Sequence, residues 1–294
     1  MMDTQIGIIG GSGLYQMSAL TEVQEITIDT PFGQPSAPLV IGKLDGIPVV
    51  FLARHGRSHT YSPTAVPYRA NIYALKSLGV RYLVSASAVG SLQPHIKPLD
   101  MVIPDQLFDL TKQRANSFFS DGLVAHISFA QPFCPNLSAV VALTATELNL
   151  PNITIHQGGA YVCIEGTAFA TKAESLLYQS WGGSVIGMTN STEAKLAREA
   201  EIAYATLALV TDYDCWHPTH ASVTVEMVLD YLRQNAQNAQ AIIRAVVAKL
   251  AVDPPTSIAH SALENAIVTN LSALPDDTKQ SIRERLGLIV AKYM

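Results

Sequence analysis

Two carboxylates stand two positions apart in the segment Thr211-Asp212-Tyr213-Asp214, which follows a run of mostly apolar residues. If that segment is extended, side chains at spacing two point to the same side, so Asp212 and Asp214 face one site. Desolvated carboxylates that lie close together repel each other, and one of them tends to keep its proton. The pair can therefore present one hydrogen-bond donor and one acceptor, as the ring N7 and the 6-amino group of a 6-aminopurine require.

A solvated turn, in which the same carboxylates cap a helix or bind a metal ion, is the alternative interpretation of this segment. His217 and His220 could join Asp214 in a metal site, but their HxxH spacing lies in a loop that contains Pro218 and seldom marks one. The apolar run before Asp212 favours a buried pair over a solvated turn. We therefore expect no metal ion at this segment.

Further polar clusters have the residue types that bind a small anion. Arg54 and His55 directly follow an apolar run, where the guanidinium fork of an arginine could hold a phosphate through two parallel hydrogen bonds. The segment GGSG at 10–13 would let backbone N–H groups approach an anion, with the Ser12 hydroxyl as a further donor. Ser87, in the segment SASAVGS, could add another hydroxyl.

Each of these clusters also has an interpretation that involves no ligand. Arg54 and His55 could be an ordinary surface group of cations, and the segment 10–13 could be a tight structural turn. That segment lacks both the GxGxxG of dinucleotide-binding proteins and the GK[ST] of a phosphate loop. No acidic residue closes a second strand about twenty residues later, so a nicotinamide-dependent oxidoreductase is disfavoured.

Short apolar runs rich in β-branched residues alternate with helical patterns, which predicts a single α/β domain with a mixed, mostly parallel sheet flanked by helices. Ligands of such sheets collect beyond the carboxyl ends of strands, where the polar clusters fall. The predicted strands are 5–10, 39–44, 47–52, 80–86 and 202–210, with a hairpin turn at Asp45-Gly46. The predicted helices are 66–78, stopped by Gly79; 190–200, started by a capping pair of Asn190 and Glu193; 223–249; and two shorter ones within 256–291.

Composition excludes several classes of function. The chain has 294 residues and a formal net charge of -5, so it offers no basic surface to a nucleic acid. No apolar run approaches the ~20 residues that a membrane helix needs, and no cationic leader precedes one, so we expect a cytoplasmic protein without a membrane partner. Cys134, Cys163 and Cys215 lack CxxC spacing, which argues against disulfides and zinc and favours packing in the core.

A series of longer motifs runs between Ile6 and about Leu250: IGIIGGSGL, DTPFGQPS, LARHGRSHT, ANIYALKSLGV, QPFCP, VCIEG, GMT and TDYDCW. In this order they resemble the trimeric purine nucleoside phosphorylase family, and within it the 5'-methylthioadenosine phosphorylases. The resemblance implies reversible phosphorolysis of a purine nucleoside by inorganic phosphate, no metal or organic cofactor, and a homotrimer with sites near subunit boundaries. We assign residues 1–250 to the phosphorylase domain and 251–294 to a C-terminal helical extension packed on it.

The resemblance also implies roles for individual residues. It assigns the phosphate site to Ser12, Arg54, His55, Ser87, Ala88 and Thr189. It places Asp212 at the purine N7 and Asp214 at the 6-amino group. It places Met188 against the ribose, Phe169 against the base, and His126 in the site of a neighbouring subunit.

Three positions predict which purine nucleoside is used. Relatives that prefer hypoxanthine and guanine have Asn where Asp212 stands and Glu where Ala170 stands. That Glu accepts a hydrogen bond from N1–H, which adenine lacks, so Ala170 with Asp212 favours a 6-aminopurine. Such relatives hold the 5'-hydroxyl with a His where this chain has Val225. Val223, Val225 and Val228 make that corner apolar, which suits a methylthio group.

These features predict phosphorolysis of 5'-methylthioadenosine to adenine and 5-methylthioribose 1-phosphate, in purine and methionine salvage. EGTAF departs from the family's EGPxF, and NSTE after GMT departs from its xxPE, so the loops that frame base and ribose are expected to differ from those of relatives. The alternatives are the same chemistry on methylthioinosine or on inosine and guanosine, and a purine-binding protein without catalysis. A hydrolase would leave Arg54 and His55 without a purpose.

Overall fold

The computed structural model describes the backbone at residues 5–11, 14, 17, 19–217 and 225–294. Side chains are described over the same ranges except at 225–230 and 232. Ser12, His220 and Val223, and the side chains of Val225 and Val228, therefore lie outside the described residues. The roles predicted for them stay predictions.

The strands of the described residues join in one sheet. They are β1 (Ile6–Gly10), β2 (Leu20–Ile26), β3 (Leu39–Leu44), β4 (Ile47–Ala53), β5 (Tyr82–Ser91), β6 (Met101–Ile103), β7 (Gln106–Asp109), β8 (Ile155–Gln157), β9 (Ala160–Cys163), β10 (Gly183–Gly187) and β11 (Ala203–Asp212). Their order is β2-β3-β4-β1-β5-β10-β9-β7, and a branch at β5 continues through β11 and β6 to β8.

Parallel pairing predominates in this sheet. β1 pairs in parallel with β4 and β5, β5 with β11, β9 with β7 and β10, and β6 with β8. Antiparallel pairs join β2 to β3, β3 to β4, β5 to β10 and β6 to β11. Asp45 and Gly46 turn the β3–β4 hairpin with φ of 51° and 82°, as a primed two-residue turn requires. The predicted mixed, mostly parallel sheet is confirmed.

Helices cover both faces of the sheet. They are α1 (Tyr68–Ser77), α2 (Pro135–Glu147), α3 (Lys172–Ser180), α4 (Asn190–Glu199), α5 (Val225–Val252) and α6 (Asp276–Val290). Residues of α1, α4 and α6 share one hydrophobic cluster with Ile9 and Leu83. Residues of α2 and α5 share a second cluster with Ile8 and Val84. Since adjacent strand residues point to opposite faces, the central strands must be apolar along their whole length.

Strand β5 is longer than the sequence pattern predicts. The apolar run indicates a strand at 80–86, whereas β5 extends to Ser91. Ser87 therefore lies inside the strand and not beyond its carboxyl end. Small hydroxyl side chains can stay in a strand that is covered on both faces when each finds a hydrogen-bond partner there.

The start of helix α4 also differs from the prediction. Its N-cap is Thr189, no side chain caps its first turn, and Asn190 is its first helical residue. Glu193 does not close a capping box, because its carboxylate bonds to the guanidinium of Arg54. The predicted position of the helix is therefore correct, but the predicted capping role of Glu193 is wrong.

The C-terminal segment packs on the side of the sheet that α1 and α4 cover. Leu263, Ile282 and Leu286 belong to the same hydrophobic cluster as residues of those helices. The apolar pattern predicts two helices within 256–291, whereas the structure has α6 and short 3-10 helices before it. α5 continues to Val252, so the boundary predicted after residue 250 falls in its last turn, and the division itself stays a prediction.

The cysteines lie in or near the core, as expected for packing residues. Cys134 and Cys163 are buried, Cys215 is half-buried, and all three thiols are free. Within the described ranges no helix is both long and apolar enough to cross a membrane. In the same part of the chain, no three His, Cys, Asp or Glu side chains come together as metal ligands would.

Glu199, in the last turn of α4, is a buried carboxyl that holds a distant loop. It accepts hydrogen bonds from the Ser117 hydroxyl at 2.7 Å and from the Phe118 N–H at 2.6 Å. Burial raises the pKa of Glu199 to about 7, although these two donors favour its ionised form. Its charge therefore changes near neutral pH.

We expect Glu199 to lower the free energy of unfolding by on the order of 3 kcal/mol as the pH rises from about 5 to about 8, a contribution that appears as the difference between the parent protein and Glu199→Gln. The folded-state pKa of Glu199 lies above its ordinary value of 4.5, so the folded protein binds more protons between these two values. The stabilisation is complete below the lower value and lost as the pH rises through the upper one. Urea titrations over this range measure the slope, and a slope unchanged in Glu199→Gln would contradict the assignment.

Candidate active site

Strand β5 is the centre of the candidate site because it pairs with β1, β10 and β11. β4 ends at Ala53 and leads into Arg54, whose backbone N–H donates to the last carbonyl of β1 at 2.9 Å. β11 ends with Asp212, which lies opposite Gly90 of β5. β10 runs antiparallel to β5, so Met188 and Thr189, which follow β10, lie beside the residues of β5 that precede Gly90. The predicted site residues on or next to these four strands are thus brought close to the carboxyl-terminal half of β5.

The two carboxylates at the end of β11 lie together and are buried. Asp212 is 9% exposed and Asp214 is 8% exposed. Asp212 accepts a hydrogen bond from the Asp214 N–H at 2.8 Å and another from the Thr211 hydroxyl at 2.6 Å. Asp214 accepts from the buried Ser175 hydroxyl at 2.5 Å. The structure therefore confirms a buried pair and not a solvated turn.

The reason for their proximity differs from the one that the sequence suggests. Asp214 is not in an extended segment, because it begins a short 3-10 helix and has a φ of 50°. Instead, the side chain of Asp212 accepts a hydrogen bond from the N–H of Asp214, in the turn that follows. Gly90 lies beneath both, since a Cβ there would be 3.0 Å from Asp212 Oδ1 and 3.2 Å from Asp214 Cβ. A side chain at position 90 would therefore force one or both of these residues to shift.

Burial raises the pKa of both carboxyls. Hydrogen bonds from Thr211 and the Asp214 N–H offset part of the rise for Asp212. Hydrogen bonds from Ser175 and Cys215 do the same for Asp214, whereas the charge of Asp212 adds to its rise. Protonating one carboxyl relieves both the burial and the repulsion. The pair can therefore hold one proton and offer one donor and one acceptor to a ligand.

Arg54 is 3% exposed, which rules out the surface cation cluster for this residue. Its Nε and Nη2 bond to the two carboxylate oxygens of Glu193. Nη1 donates to the Ala86 carbonyl at 2.9 Å, and Nη2 also donates to the Ser85 hydroxyl at 2.6 Å. Burial alone would lower the pKa of Arg54, but the carboxylate of Glu193 outweighs it and raises that pKa. The fork thus faces Glu193, and its phosphate role stays a prediction.

Glu193 is a functional candidate that the sequence analysis missed. It is fully buried, and its carboxylate also accepts hydrogen bonds from the Tyr204 hydroxyl at 2.8 Å and the Ser85 hydroxyl at 3.2 Å. These bonds join α4 to β4, β5 and β11 under the candidate phosphate site. The pair could not be predicted because Arg54 and Glu193 lie far apart in the chain, and each residue alone has an ordinary local explanation.

His55 is half-buried and uncharged at neutral pH. Its Nδ1 lies 2.9 Å from the Tyr61 carbonyl, which can only accept, so Nδ1 carries the hydrogen. Burial and the neighbouring charge of Arg54 lower the pKa of His55 to about 4. The other ring nitrogen, Nε2, therefore keeps a lone pair. That lone pair suits the hydrogen of a monoprotonated phosphate better than a fully ionised one.

Ser87, Ala88 and Thr189 lie where β5 and the end of β10 pass each other. The Ser87 hydroxyl is 3.2 Å from the Tyr161 hydroxyl. Ala88 is exposed although its neighbours in β5 are buried, so the sheet is open at this point. Thr189 is buried and its hydroxyl donates to the Asn190 side chain at 3.1 Å. This opening lies two residues along β5 from Ala86, whose carbonyl accepts a hydrogen bond from Arg54.

Arg114 holds the loops that carry Met188 and Phe169, and nothing in the sequence pattern marked it. Its side chain donates to the Met188 carbonyl at 2.5 Å, to the Glu165 carbonyl at 2.7 Å and to the Glu165 carboxylate at 3.0 Å. Hydrogen bonds from Thr64 and from backbone N–H groups outweigh burial and lower the pKa of Glu165 to about 2. The root of the loop that departs from the family pattern is therefore firmly fixed.

The residues predicted to contact base and ribose have different surroundings. Met188 is half-buried, and Phe169 is 56% exposed. The carbonyl of Ala170 accepts a hydrogen bond from the thiol of Cys215 at 3.2 Å, which joins this loop to the turn that contains Asp214. His126 is exposed, and within the described residues no hydrogen bond or ion pair joins its side chain to the others. The role predicted for His126 in the site of a neighbouring subunit stays a prediction.

The sequence and the fold are both similar to named phosphorylases. The profile of the phosphorylase superfamily matches residues 5–248. The chain is 62% identical over 293 residues to the S-methyl-5'-thioadenosine phosphorylase of Thermosynechococcus vestitus, which covers 100% of each chain.

Solved structures give the same result. A methylthioadenosine phosphorylase sourced from an antarctic soil metagenomic library superposes with a TM-score of 0.93 at 52% identity, over 98% of this chain and 99% of that one. The methylthioadenosine phosphorylase from Schistosoma mansoni in complex with adenine superposes with a TM-score of 0.81 at 33% identity, over 85% and 93% of the two chains.

Proposed function

The chain belongs to the phosphorylase superfamily, and we propose that it catalyses the phosphorolysis of 5'-methylthioadenosine to adenine and 5-methylthioribose 1-phosphate. The observation that carries this proposal is the pair of buried carboxyls, Asp212 and Asp214, at the end of β11. Their raised pKa values allow one to keep a proton for the purine N7 while the other accepts from the 6-amino group. The relatives at 62% and 52% identity are named for this substrate.

The reaction replaces one bond at C1' of the ribose by another. The bond from C1' to purine N9 lengthens, its electron pair moves onto the purine, and positive charge builds on the ribose. The proton of Asp212 moves to N7, so the base leaves as neutral adenine. An oxygen of hydrogen phosphate forms the new bond to C1', and the proton that it releases restores Asp212 through solvent. Proximity of the phosphate and electrostatic support for the cation supply the rate.

Inorganic phosphate, the co-substrate, binds in the opening formed by Ser87, Ala88 and Thr189. Arg54 donates to the phosphate from behind this opening, and its ion pair with Glu193 keeps the guanidinium in place and offsets its charge. His55 accepts the hydrogen of the phosphate, and Ser12 completes the set. No metal or organic cofactor takes part.

Ala170 and Asp212 favour adenine over a 6-oxopurine. A carboxylate at position 170 would accept from the N1–H of hypoxanthine or guanine, and alanine leaves that position without an acceptor. The apolar corner of Val223, Val225 and Val228 would hold the methylthio group. A buried hydroxyl in the same corner would lack a partner, so adenosine is the poorer substrate.

We also propose that the protein works as a cytoplasmic homotrimer. His126 is exposed in the single chain, which leaves its side chain available to the site of a neighbouring subunit. The net charge of -5 favours a small-molecule substrate over a nucleic acid.

We expect phosphate-dependent release of free adenine, fastest from 5'-methylthioadenosine, because the site binds a 6-aminopurine and an apolar 5' substituent. The measurement compares 5'-methylthioadenosine, methylthioinosine, adenosine and inosine, each with and without phosphate. Faster turnover of a 6-oxopurine nucleoside would overturn the assignment of the base. Release without phosphate would indicate a hydrolase, and purine binding without turnover would indicate a binding protein.

A further inference from the structure

Tyr161 is a fully buried tyrosine whose hydroxyl lies beside the candidate phosphate opening. It belongs to β9, directly opposite Val185 of β10. Its ring reaches under the end of β10, where a Cβ on Gly187 would overlap the hydroxyl. Glycine at 187 is therefore required for the tyrosine hydroxyl to sit there. Neither the motifs nor the proposed mechanism uses Tyr161.

The hydroxyl of Tyr161 contacts a residue of the proposed phosphate site. Its oxygen is 3.2 Å from Ser87 Oγ. Burial raises the pKa of Tyr161 above its usual range. A phenol buried in this way stays protonated at neutral pH. It can donate one hydrogen bond while it accepts another.

Either oxygen of the Tyr161–Ser87 pair could be the donor. A phenol is a stronger acid than an aliphatic alcohol, which favours the arrangement in which Tyr161 donates to Ser87 Oγ. The Ser87 hydroxyl then accepts from Tyr161 and still has its own hydrogen to offer. Its one other partner within range, the Ala88 carbonyl at 3.5 Å, makes a bond too long to compete with an anion.

We propose that Tyr161 is a positioning residue for phosphate: it orients the Ser87 hydroxyl as a donor toward the anion, and thereby sets the affinity for the inorganic co-substrate. This inference rests on the proposed function. A phosphate oxygen accepts hydrogen bonds, so a hydroxyl already turned into a donor binds it without first reorienting. Hydrogen bonds in a chain also polarise one another, which makes the Ser87 hydrogen a stronger donor.

Tyr161→Phe tests this because it removes one oxygen and leaves the ring in the same space. We expect the KM for phosphate to rise about tenfold, the size of one hydrogen bond to a charged ligand. The KM for 5'-methylthioadenosine at saturating phosphate should stay within about twofold of the parent value. A purely structural loss would raise both KM values or lower kcat alone.

The matched control is Tyr82→Phe, which also removes a buried hydroxyl, since Tyr82 donates to the Pro255 carbonyl at 2.8 Å on another part of the fold. We expect a comparable change in Tm and no change in the KM for phosphate. The double variant Tyr161→Phe, Ser87→Ala completes a cycle with the two single variants. Tyr161→Phe should have no further effect on the phosphate KM once Ser87 is alanine.

The outcomes separate this inference from the proposed function. An unchanged phosphate KM in Tyr161→Phe, or full additivity with Ser87→Ala, would overturn the role of Tyr161 while phosphate-dependent turnover by the parent protein stands. Turnover by the parent protein that does not depend on phosphate would overturn both. A raised phosphate KM that disappears in the Ser87→Ala background would support the positioning role.

Discussion

Replacing Glu193 with alanine is expected to lower the free energy of unfolding by about 3–5 kcal/mol. The change would leave the guanidinium of Arg54 buried without its carboxylate, and it would also remove the acceptor of the Tyr204 hydroxyl. Taking one partner from a buried ion pair costs more than replacing both, because the remaining charge is uncompensated. The protein should therefore be much more sensitive at this position than an ordinary helical glutamate would be.

Chemical denaturation of three variants would measure this effect. Glu193→Gln keeps the shape and loses the charge, so its loss should be smaller than that of alanine. The double variant Arg54→Met, Glu193→Met removes both charges and should be more stable than Glu193→Ala. The control is Arg244→Ala, which breaks the exposed pair of Asp45 and Arg244 and should leave the unfolding midpoint unchanged. Equal losses in Glu193→Ala and Arg244→Ala would contradict the importance given to the buried pair.

The second large effect is expected at Asp212. Asp212→Asn should lower kcat/KM for 5'-methylthioadenosine by about 10²–10⁴-fold, because an amide cannot transfer a proton to N7 as the leaving base gains charge. The amide can still donate a hydrogen bond to N7. The preference for 5'-methylthioadenosine over methylthioinosine should therefore shrink, since the amide N–H groups can donate to N7 and to a 6-oxo group alike.

Steady-state kinetics on both nucleosides would measure the rate and the preference together. Asp100→Asn is the matched control, because Asp100 is also buried and accepts from the Lys97 and Thr154 N–H groups, outside the candidate site. Its folded fraction should turn over at the parent rate. If Asp212→Asn kept the parent selectivity, the role of Asp212 at the base would be wrong.

The sequence predicted those parts of the fold that depend on neighbouring residues. Asp45 and Gly46 define a hairpin because both adopt positive φ, and Gly79 ends α1 with a φ of 86° for the same local reason. The limits of β5 were not predictable in this way. Ser87 and Ser91 look like the end of a strand, and only pairing with β10 and β11 keeps them inside one.

The site was predictable where its residues follow one another and not where they meet through folding. Asp212 and Asp214 were found from their spacing, although a turn and not an extended strand brings them together. Glu193 was assigned to a helix cap because its partner, Arg54, lies far away in the chain. Arg114 and Tyr161 carry no local signal at all, since their importance lies in the loops and hydroxyls that they join.

Helix α4 is fixed at both ends by contacts to one short segment, which contains Arg114 and Ser117. Just before its start, the Met188 carbonyl accepts from Arg114, and at its end Glu199 holds Ser117, which follows Arg114 closely in the chain. The helix and this short segment therefore close a ring, and the helix cannot tilt without breaking the ring. We therefore expect room for an entering nucleoside to come from outside the ring, where the exposed Phe169 lies.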